Sequence, residues 1–320
     1  MSGGRGSLPY DSLLFGTTSY VLPADILPNV RLLAPHVDDI EVILFEGEWS
    51  NLPSRADVRE IGMIAEDGGC GFTIHLPLDV GIGESDPEVR HRAQETCLRV
   101  IDLTLSLEPH AFVVHPELPL RYHPAFGDAP QPLFALPVDV FAAWQAALGE
   151  SFGRLAAEAG PFPLAVENLQ FPFGWVSSLL EEHDLGVTLD VGHLLMHGGD
   201  VAGHVREFGD RLTVVHFHGI QDGKDHRPIG AFDRGEMEGM LRLFDGAPTR
   251  RPPHPTRRAT GRGGRVVVSL EVFGWRPTTS SLATLADVLG DGRGDALRRA
   301  VSAIMEELPR WDPDWESDPV

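Results

Sequence analysis

The chain alternates short runs of β-branched and apolar residues with longer stretches in which apolar residues recur every three or four positions. Short runs of this kind are typical of buried strands, and the longer spacing is typical of amphipathic helices. Eight runs predict strands, at residues 13–18, 40–45, 72–75, 111–115, 164–167, 186–190, 212–218 and 266–271. A helix-like stretch separates each run from the next, so the pattern predicts a repeating strand–helix chain.

Capping residues set the expected helix boundaries. Ser54 is a good N-cap, Gly68 and Gly69 form a stop signal, and Asp86 followed by Pro87 begins a long helix. Two of the predicted helices begin at residues 23 and 86. The others cover residues 54–66, 137–158, 175–182, 201–208, 237–244, 281–289 and 295–308.

Strands that alternate with helices indicate a parallel sheet, and eight such units in about 300 residues fit a closed (β/α)8 TIM barrel of the α/β class. A doubly wound open sheet is the alternative, but no Gly-x-Gly-x-x-Gly turn follows the first strand. We expect one TIM-barrel domain over residues 1–320, with the barrel at about 12–308, a basic Pro/Gly-rich insertion at 247–264 and an acidic tail at 311–320.

The acidic composition narrows the choice of partners. Lys and Arg number 26 against 47 Asp and Glu, for a formal net charge of −21. A general nucleic-acid binder is disfavoured, because such binding depends on neutralising phosphates, and we expect a small-molecule substrate instead. No signal-peptide pattern or membrane-length apolar stretch occurs, and the two cysteines lack a zinc or disulfide spacing, so we expect a cytoplasmic protein without membrane contact.

The insertion overlaps the most basic segment of the chain. Residues 249–265 hold six arginines and no acidic residue. The segment connects a helix to the eighth strand, which places it at the N-terminal face of a barrel. We therefore predict a Pro- and Gly-rich disordered insertion rather than a phosphate site.

Polar side chains recur at the ends of successive predicted strands, which is where barrels of this kind carry their active sites. Any one of them has an ordinary interpretation as a helix cap or a packed histidine, whereas the repetition indicates a metal site. The candidates are His75, His115, Glu167, Asp190, His193, His216, His218 and Glu271. Strand residues alternate faces, so His216 and His218, two positions apart, lie on the same face. We favour His218 as the ligand because it lies nearer the strand end. More than four candidate ligands suggest more than one divalent ion, with zinc or manganese favoured.

The motifs around these residues resemble the xylose-isomerase-like superfamily, which includes endonuclease IV and sugar epimerases. The motifs are TIHLPLDVG, VVHPE, AVENL, LDVGH, HFHGI, DHRPIG and SLEVF. The resemblance implies that Glu167, Asp190, His218 and Glu271 form the single-metal quartet of the epimerases. It also implies that His75, His115, His193 and His226 are the added ligands of the phosphodiesterase branch. The chain departs from the endonuclease pattern at Lys224, which replaces an aspartate, with Asp222 and Asp225 as displaced substitutes.

The N-terminal run GTTSYVLPADILPNVRLLAPHVDDIEVILFE resembles the CbiR-type cobamide-remodelling phosphodiesterases. This resemblance implies hydrolysis of the nucleotide-loop phosphoester of a cobamide, giving cobinamide phosphate and an α-riboside, with one to three metal ions. Glu167, Glu271 and His226 are then the expected catalytic residues. The main alternative is a sugar isomerase or epimerase that uses Glu167 and Glu271 as proton-transfer bases around one metal. Abasic-site DNA repair and non-catalytic corrinoid binding are further alternatives.

Two aromatic stretches follow the predicted strands four and five. Residues 117–136 either cover a flat macrocycle or form an ordinary surface loop; they include Arg121, Tyr122, His123, Phe126 and Phe134. Phe171, Phe173 and Trp175 either line the mouth of the pocket or pack in the core.

Overall fold

A computed structural model of the protein describes residues 10–45, 51–78, 80–122, 135–249 and 264–312. Eight parallel strands close into a barrel in the order β1-β10-β7-β6-β5-β4-β3-β2, and β8 and β9 form a separate antiparallel hairpin. The barrel strands are β1 (Leu13–Thr18), β2 (Asp39–Ile43), β3 (Gly71–His75), β4 (Phe112–Val114), β5 (Leu164–Glu167), β6 (Gly186–Asp190), β7 (Leu212–His216) and β10 (Val266–Leu270). The hairpin strands are β8 (Gly219–Gln221) and β9 (Lys224–Arg227). The predicted TIM barrel is confirmed.

Helices follow the strands around the barrel. They are α1 (Ile26–Leu33), α2 (Arg55–Gly68), α3 (Pro87–Thr104), α4 (Val138–Ala159), α5 (Ser177–Glu182), α6 (Val191–Met196), α7 (Val201–Phe208), α8 (Arg234–Asp245), α9 (Trp275–Leu289) and α10 (Arg293–Trp311). The capping prediction at α2 is confirmed, since Ser54 accepts from the Asp57 N–H and Gly69 ends the helix in a left-handed conformation. Within the described ranges, no helix combines the length and the apolar character that crossing a membrane requires.

Several predicted boundaries are wrong by a few residues. The seventh barrel strand ends at His216 rather than residue 218, and the chain then turns into the unpredicted β8–β9 hairpin. Helix α10 continues to Trp311, which packs against the core, so the predicted tail at 311–320 begins too early. Most of that tail, residues 313–320, lies outside the described residues, as do residues 250–263 of the predicted insertion and 123–134 of the aromatic loop.

The interior of the barrel is divided into an apolar part and a polar part. A small buried cluster fills the apolar part; it consists of Leu14, Ala111, Val113, Ala165, Val214 and Val267. The outward-facing residues of β2, Ile40 and Val42, belong instead to the large cluster between the barrel and its helices. Because strand residues alternate faces, the intervening Asp39 and Glu41 face the interior, where both are fully buried. Glu41 belongs to the polar part near the C-terminal strand ends, whereas Asp39, at the start of β2, lies toward the N-terminal ends.

Candidate metal centre

The structure brings every metal or catalytic residue predicted from the sequence into one region at the C-terminal ends of the strands. Glu167 lies at its centre. Its Oε2 atom is 3.1 Å from His115 Nε2, 3.4 Å from His75 Nε2 and 3.4 Å from His216 Nδ1. Its Oε1 atom is 3.4 Å from His193 Nδ1. One carboxylate therefore joins imidazoles that come from four different strand ends.

Asp190 is held in place from three directions. Its Oδ1 atom accepts from the His193 N–H at 2.6 Å, which caps helix α6, and its Oδ2 atom lies 3.0 Å from His218 Nε2. Asn168, which follows Glu167 at the end of β5, accepts from the Asp190 N–H at 2.8 Å and donates to the Asp190 carbonyl at 3.0 Å. These bonds fix the ends of β5 and β6 relative to each other.

The β8–β9 hairpin supplies two neighbouring side chains to the centre. His226 has a φ of 50°, a left-handed conformation that is uncommon for a residue with a side chain. This breaks the alternation of the strand, so that both Asp225 and His226 face the centre. Asp225 Oδ2 lies 3.5 Å from His193 Nε2, and His226 Nδ1 lies 3.1 Å from the carbonyl oxygen of Glu271. Asp225 thus occupies the region where the resemblance expected an aspartate at position 224.

Two carboxylates that the sequence analysis did not single out also contact the centre. Glu41, on β2, lies 2.9 Å from His216 Nε2 through its Oε1 atom. Glu117 lies 3.0 Å from His115 Nδ1, also through Oε1. Glu117 was visible in the VVHPE motif, and Glu41 stands at an inward position of the predicted second strand. Only the closed barrel shows that both reach histidines of the site.

The carboxylates and imidazoles strongly perturb each other's protonation. Burial opposes the charged forms, but Glu167 and Glu117 outweigh it at His115 and raise its pKa to about 10. Burial likewise disfavours an ionised Glu167, yet His115 and His216 hold its pKa well below the ordinary value. At Asp190, burial raises the pKa, but His193 and His218 lower it by more, so the pKa lies below its ordinary value. Alternating negative and positive groups therefore stabilise one another away from water.

The donor set fits divalent metal ions. Among the described residues, four groups have ligand atoms within 4.8 Å of one another: His75–His115–Glu167, His193–Asp225–His226, His218–His226–Glu271 and Glu167–Asp190–His216–Glu271. Several ring and carboxylate atoms in these groups are buried without a hydrogen-bond partner in the described structure, namely His75 Nε2, His193 Nδ1, His216 Nδ1 and Glu271 Oε2. Unpaired buried polar atoms are costly, and a cation among them would satisfy them together.

Two of these histidines are already oriented for coordination. His75 Nδ1 lies 2.8 Å from the Leu76 carbonyl oxygen, which can only accept, so the proton is on Nδ1 and Nε2 carries the lone pair. When a metal ion displaces the second ring proton, the bond between His115 Nδ1 and Glu117 gives the same arrangement at His115. In metal-binding histidines, the ring nitrogen that does not bind the metal commonly donates to a carbonyl or a carboxylate.

A cavity of about 680 Å³ opens above the centre. His115, Glu167, His193, His226 and Glu271 form its floor. Its walls are mostly apolar and include Ile43, Phe45, Leu78, Val80, Leu118, Leu169 and Phe273. Glu84, Glu117 and Gln170 also line the cavity, and no Lys or Arg does so within the described ranges.

The aromatic residues after strand five pack in the core. Phe171 and Phe173 are buried, and Phe171 stacks on Trp175 with ring centroids 5.6 Å apart. None of the three lines the cavity. In the preceding loop, Tyr122 packs against the core, and His123, Phe126 and Phe134 lie outside the described residues.

Comparison with known proteins agrees with the barrel fold. The sequence matches the family described as Xylose isomerase-like TIM barrel over residues 37–246. The chain belongs to this family. Among curated proteins, none matches the sequence.

Several solved structures share the fold. A D-tagatose 3-epimerase-like protein is 17% identical with a TM-score of 0.61, over 92% of this chain and 99% of that chain. The 3-keto-D-glucoside 4-epimerase YcjR from E. coli is 15% identical with a TM-score of 0.57, over 94% and 100%. D-Psicose 3-epimerase from Clostridium cellulolyticum H10 is 16% identical with a TM-score of 0.55, over 93% and 99%. At these identities the likeness establishes the fold.

Proposed function

We propose that this protein is a metal-dependent phosphodiesterase that acts on a cobamide. The observation that carries the proposal is the number and arrangement of ligands around Glu167. Its two carboxylate oxygens face different sets of histidines, His75 and His115 on one side and His193 on the other. A single-metal site needs only a quartet of ligands, and the additional histidines support at least one further ion.

The proposed roles follow from the contacts. The metal ligands predicted from the sequence are His75, His115, Glu167, Asp190, His193, His218 and Glu271, and zinc or manganese suits this mixture of imidazole and carboxylate. Divalent ions bound there would stabilise negative charge on a phosphodiester and lower the pKa of an attacking water. Glu167 and Glu271, at the ends of β5 and β10, would orient that water. His226 donates from Nδ1 to the Glu271 carbonyl, and as an imidazolium it would also donate from Nε2 to a phosphate oxygen at the cavity floor.

The shape and chemistry of the cavity support a large and mostly apolar substrate. Leu78 and Phe273 are 37% and 43% exposed, which leaves apolar surface available to a ligand. Sugars are bound largely through hydrogen bonds, whereas this wall offers few hydrogen-bonding side chains. A corrinoid presents apolar ring faces, with amide groups at the rim, beside its phosphodiester, and the N-terminal run resembles the cobamide-remodelling family.

A metal-dependent sugar isomerase or epimerase is the second candidate, and the comparisons favour it over the cobamide reaction. The similar structures carry epimerase names, and no comparison points to a cobamide enzyme. Within the site, Glu167 and Glu271 both line the cavity floor, where a pair of carboxylates could move a proton between the two faces of a sugar.

Product analysis with both substrate classes distinguishes the candidates. Protein loaded with zinc or manganese is incubated separately with adenosylcobamide and with D-tagatose or D-psicose, and the products are identified by mass spectrometry and chromatography. We expect cobinamide phosphate and an α-riboside, with no epimerised sugar, and no cleavage by Asp190→Ala. Sugar epimerisation without cobamide cleavage would establish the second candidate. Tight cobamide binding without turnover would indicate a corrinoid-binding protein instead.

A further inference from the structure

His216 lies between a carboxylate behind it and three carboxylates in front of it. It ends β7, and both its side chain and that of Glu41 are fully buried. Its Nε2 atom lies 2.9 Å from Glu41. Its Nδ1 atom lies 3.0 Å from Glu271, 3.4 Å from Glu167 and 3.8 Å from Asp190.

The contact with Glu41 determines which ring nitrogen is free. An ionised carboxylate only accepts hydrogen bonds, so His216 must donate to Glu41 from Nε2. In a neutral imidazole the other nitrogen then carries a lone pair. His216 Nδ1 has no hydrogen-bond partner among the described residues, and it belongs to a four-residue group whose ligand atoms lie within 4.8 Å of one another.

The other histidine of this segment, His218, is arranged differently. Its Nδ1 atom accepts from the backbone N–H of His226 at 2.9 Å. The ring proton is then on Nε2, which donates to Asp190 at 3.0 Å. Both nitrogens of His218 are therefore engaged, and its contacts orient Asp190.

We propose that Glu41 is a positioning residue that makes His216 the ligand from strand seven, in a four-ligand site completed by Glu167, Asp190 and Glu271. This replaces the expectation from the sequence that His218, the residue nearer the strand end, is the ligand. The inference rests on the metal centre of the proposed function. It does not depend on the reaction, because metal affinity is the quantity that tests it.

The same strand provides a matched control for Glu41. Asp39 lies two residues earlier, is also fully buried, and its Oδ2 atom lies 3.3 Å from His110 Nδ1. His110 precedes β4, so this pair sits toward the N-terminal ends of the strands, away from the candidate ligands. Asp39→Leu removes a buried carboxylate from β2 without touching the metal centre.

The test is the affinity for zinc or manganese, measured by calorimetry or chelator competition together with the melting temperature. We expect Glu41→Leu to weaken metal binding at the four-ligand site by about 10–100-fold, the usual effect of losing a residue that positions a ligand. His216→Leu removes the ligand itself and should weaken binding at least as much. Glu41→Gln should remain within about threefold of wild type, because its amide oxygen still accepts from Nε2. Asp39→Leu should lower the melting temperature without changing affinity. The double variant Glu41→Leu/His216→Leu should bind no more weakly than His216→Leu alone.

The alternatives give different patterns. If Glu41→Gln is as damaging as Glu41→Leu, the negative charge matters rather than the hydrogen bond, and the proposal is wrong. Equal affinity losses in Asp39→Leu and Glu41→Leu would show a general structural effect. Retained affinity in His216→Leu with loss in His218→Leu would make His218 the ligand. The comparison of His216→Leu with His218→Leu identifies the ligand even if Glu41→Leu does not fold. None of these outcomes depends on which substrate is cleaved.

Discussion

Gly192 lies directly against the imidazole ring of His218. A Cβ atom added at Gly192 would come within 2.0 Å of His218 Cε1 and within 2.5 Å of Nδ1. Any side chain at this position would have to displace the ring, which donates to Asp190 at 3.0 Å. The glycine in the LDVGH motif is therefore required by close packing at the metal centre.

Gly192→Ala is predicted to damage the site more than the fold. The added methyl group should push His218 away and release Asp190, so metal affinity and turnover should each fall by at least about tenfold. Gly239→Ala in helix α8 is the matched control, since a Cβ atom there contacts nothing within 4 Å. Metal titration and circular dichroism of both variants make the comparison. Metal affinity close to wild type in Gly192→Ala would show that His218 is not needed in this position.

The strand-end residues could be predicted because their positions follow from local pattern. His75, Glu167 and Asp190 each end an apolar run, and in a parallel barrel all such ends meet at one face. Glu41 could not be predicted in the same way. Strand alternation places Glu41 on the inner face, but its contact with His216 crosses from β2 to β7, which are not neighbours in the barrel, so the contact depends on barrel closure, a long-range property. The β8–β9 hairpin was also missed, although its turn, Asp222-Gly223, is a common hairpin signal with both residues left-handed. The orientation of His226 within β9 could not be predicted, because this residue adopts a left-handed backbone without being a glycine.

Deleting residues 250–263 is predicted to leave activity within about threefold of wild type. Thr249 donates to the Gly264 carbonyl at 3.1 Å, so the residues that flank this segment are already adjacent. They lie between α8 and β10, at the N-terminal end of the barrel strand and opposite the metal centre. Joining them through a short Gly-Ser linker and measuring metal content and turnover checks this expectation. A large loss of turnover with full metal content would place the segment near the substrate.

His204 is predicted to make stability depend on acid pH. It is buried against Phe173 and Phe208, and burial lowers its pKa to about 4. In the unfolded chain the pKa is about 6.5, so between these values the unfolded chain binds a proton that the folded protein does not. Stability from the neutral side chain is therefore complete above about pH 6.5 and is lost as the pH falls toward about 4, by up to about 3 kcal/mol.

His204→Phe should remove this part of the pH dependence. The free energy of unfolding is measured by urea denaturation at about pH 7.5 and about pH 4.5. Its decrease between these two pH values should be about 2 kcal/mol smaller in the variant than in wild type. Substitution of the exposed His91 by Phe is the control and should leave the difference between the two pH values unchanged. If the free energy of unfolding decreases equally between the two pH values in wild type and in His204→Phe, His204 is protonated without cost in the folded state.

The number of metal ions per chain tests the central claim most directly, because it separates the phosphodiesterase from a single-metal epimerase. Elemental analysis of purified, metal-loaded wild type, His75→Ala and His115→Ala should show at least two ions in wild type and about one fewer in each variant, with cobamide hydrolysis strongly reduced. The ion held by Glu167, Asp190 and Glu271 should remain. One ion per chain in wild type, unchanged in both variants, would contradict the account.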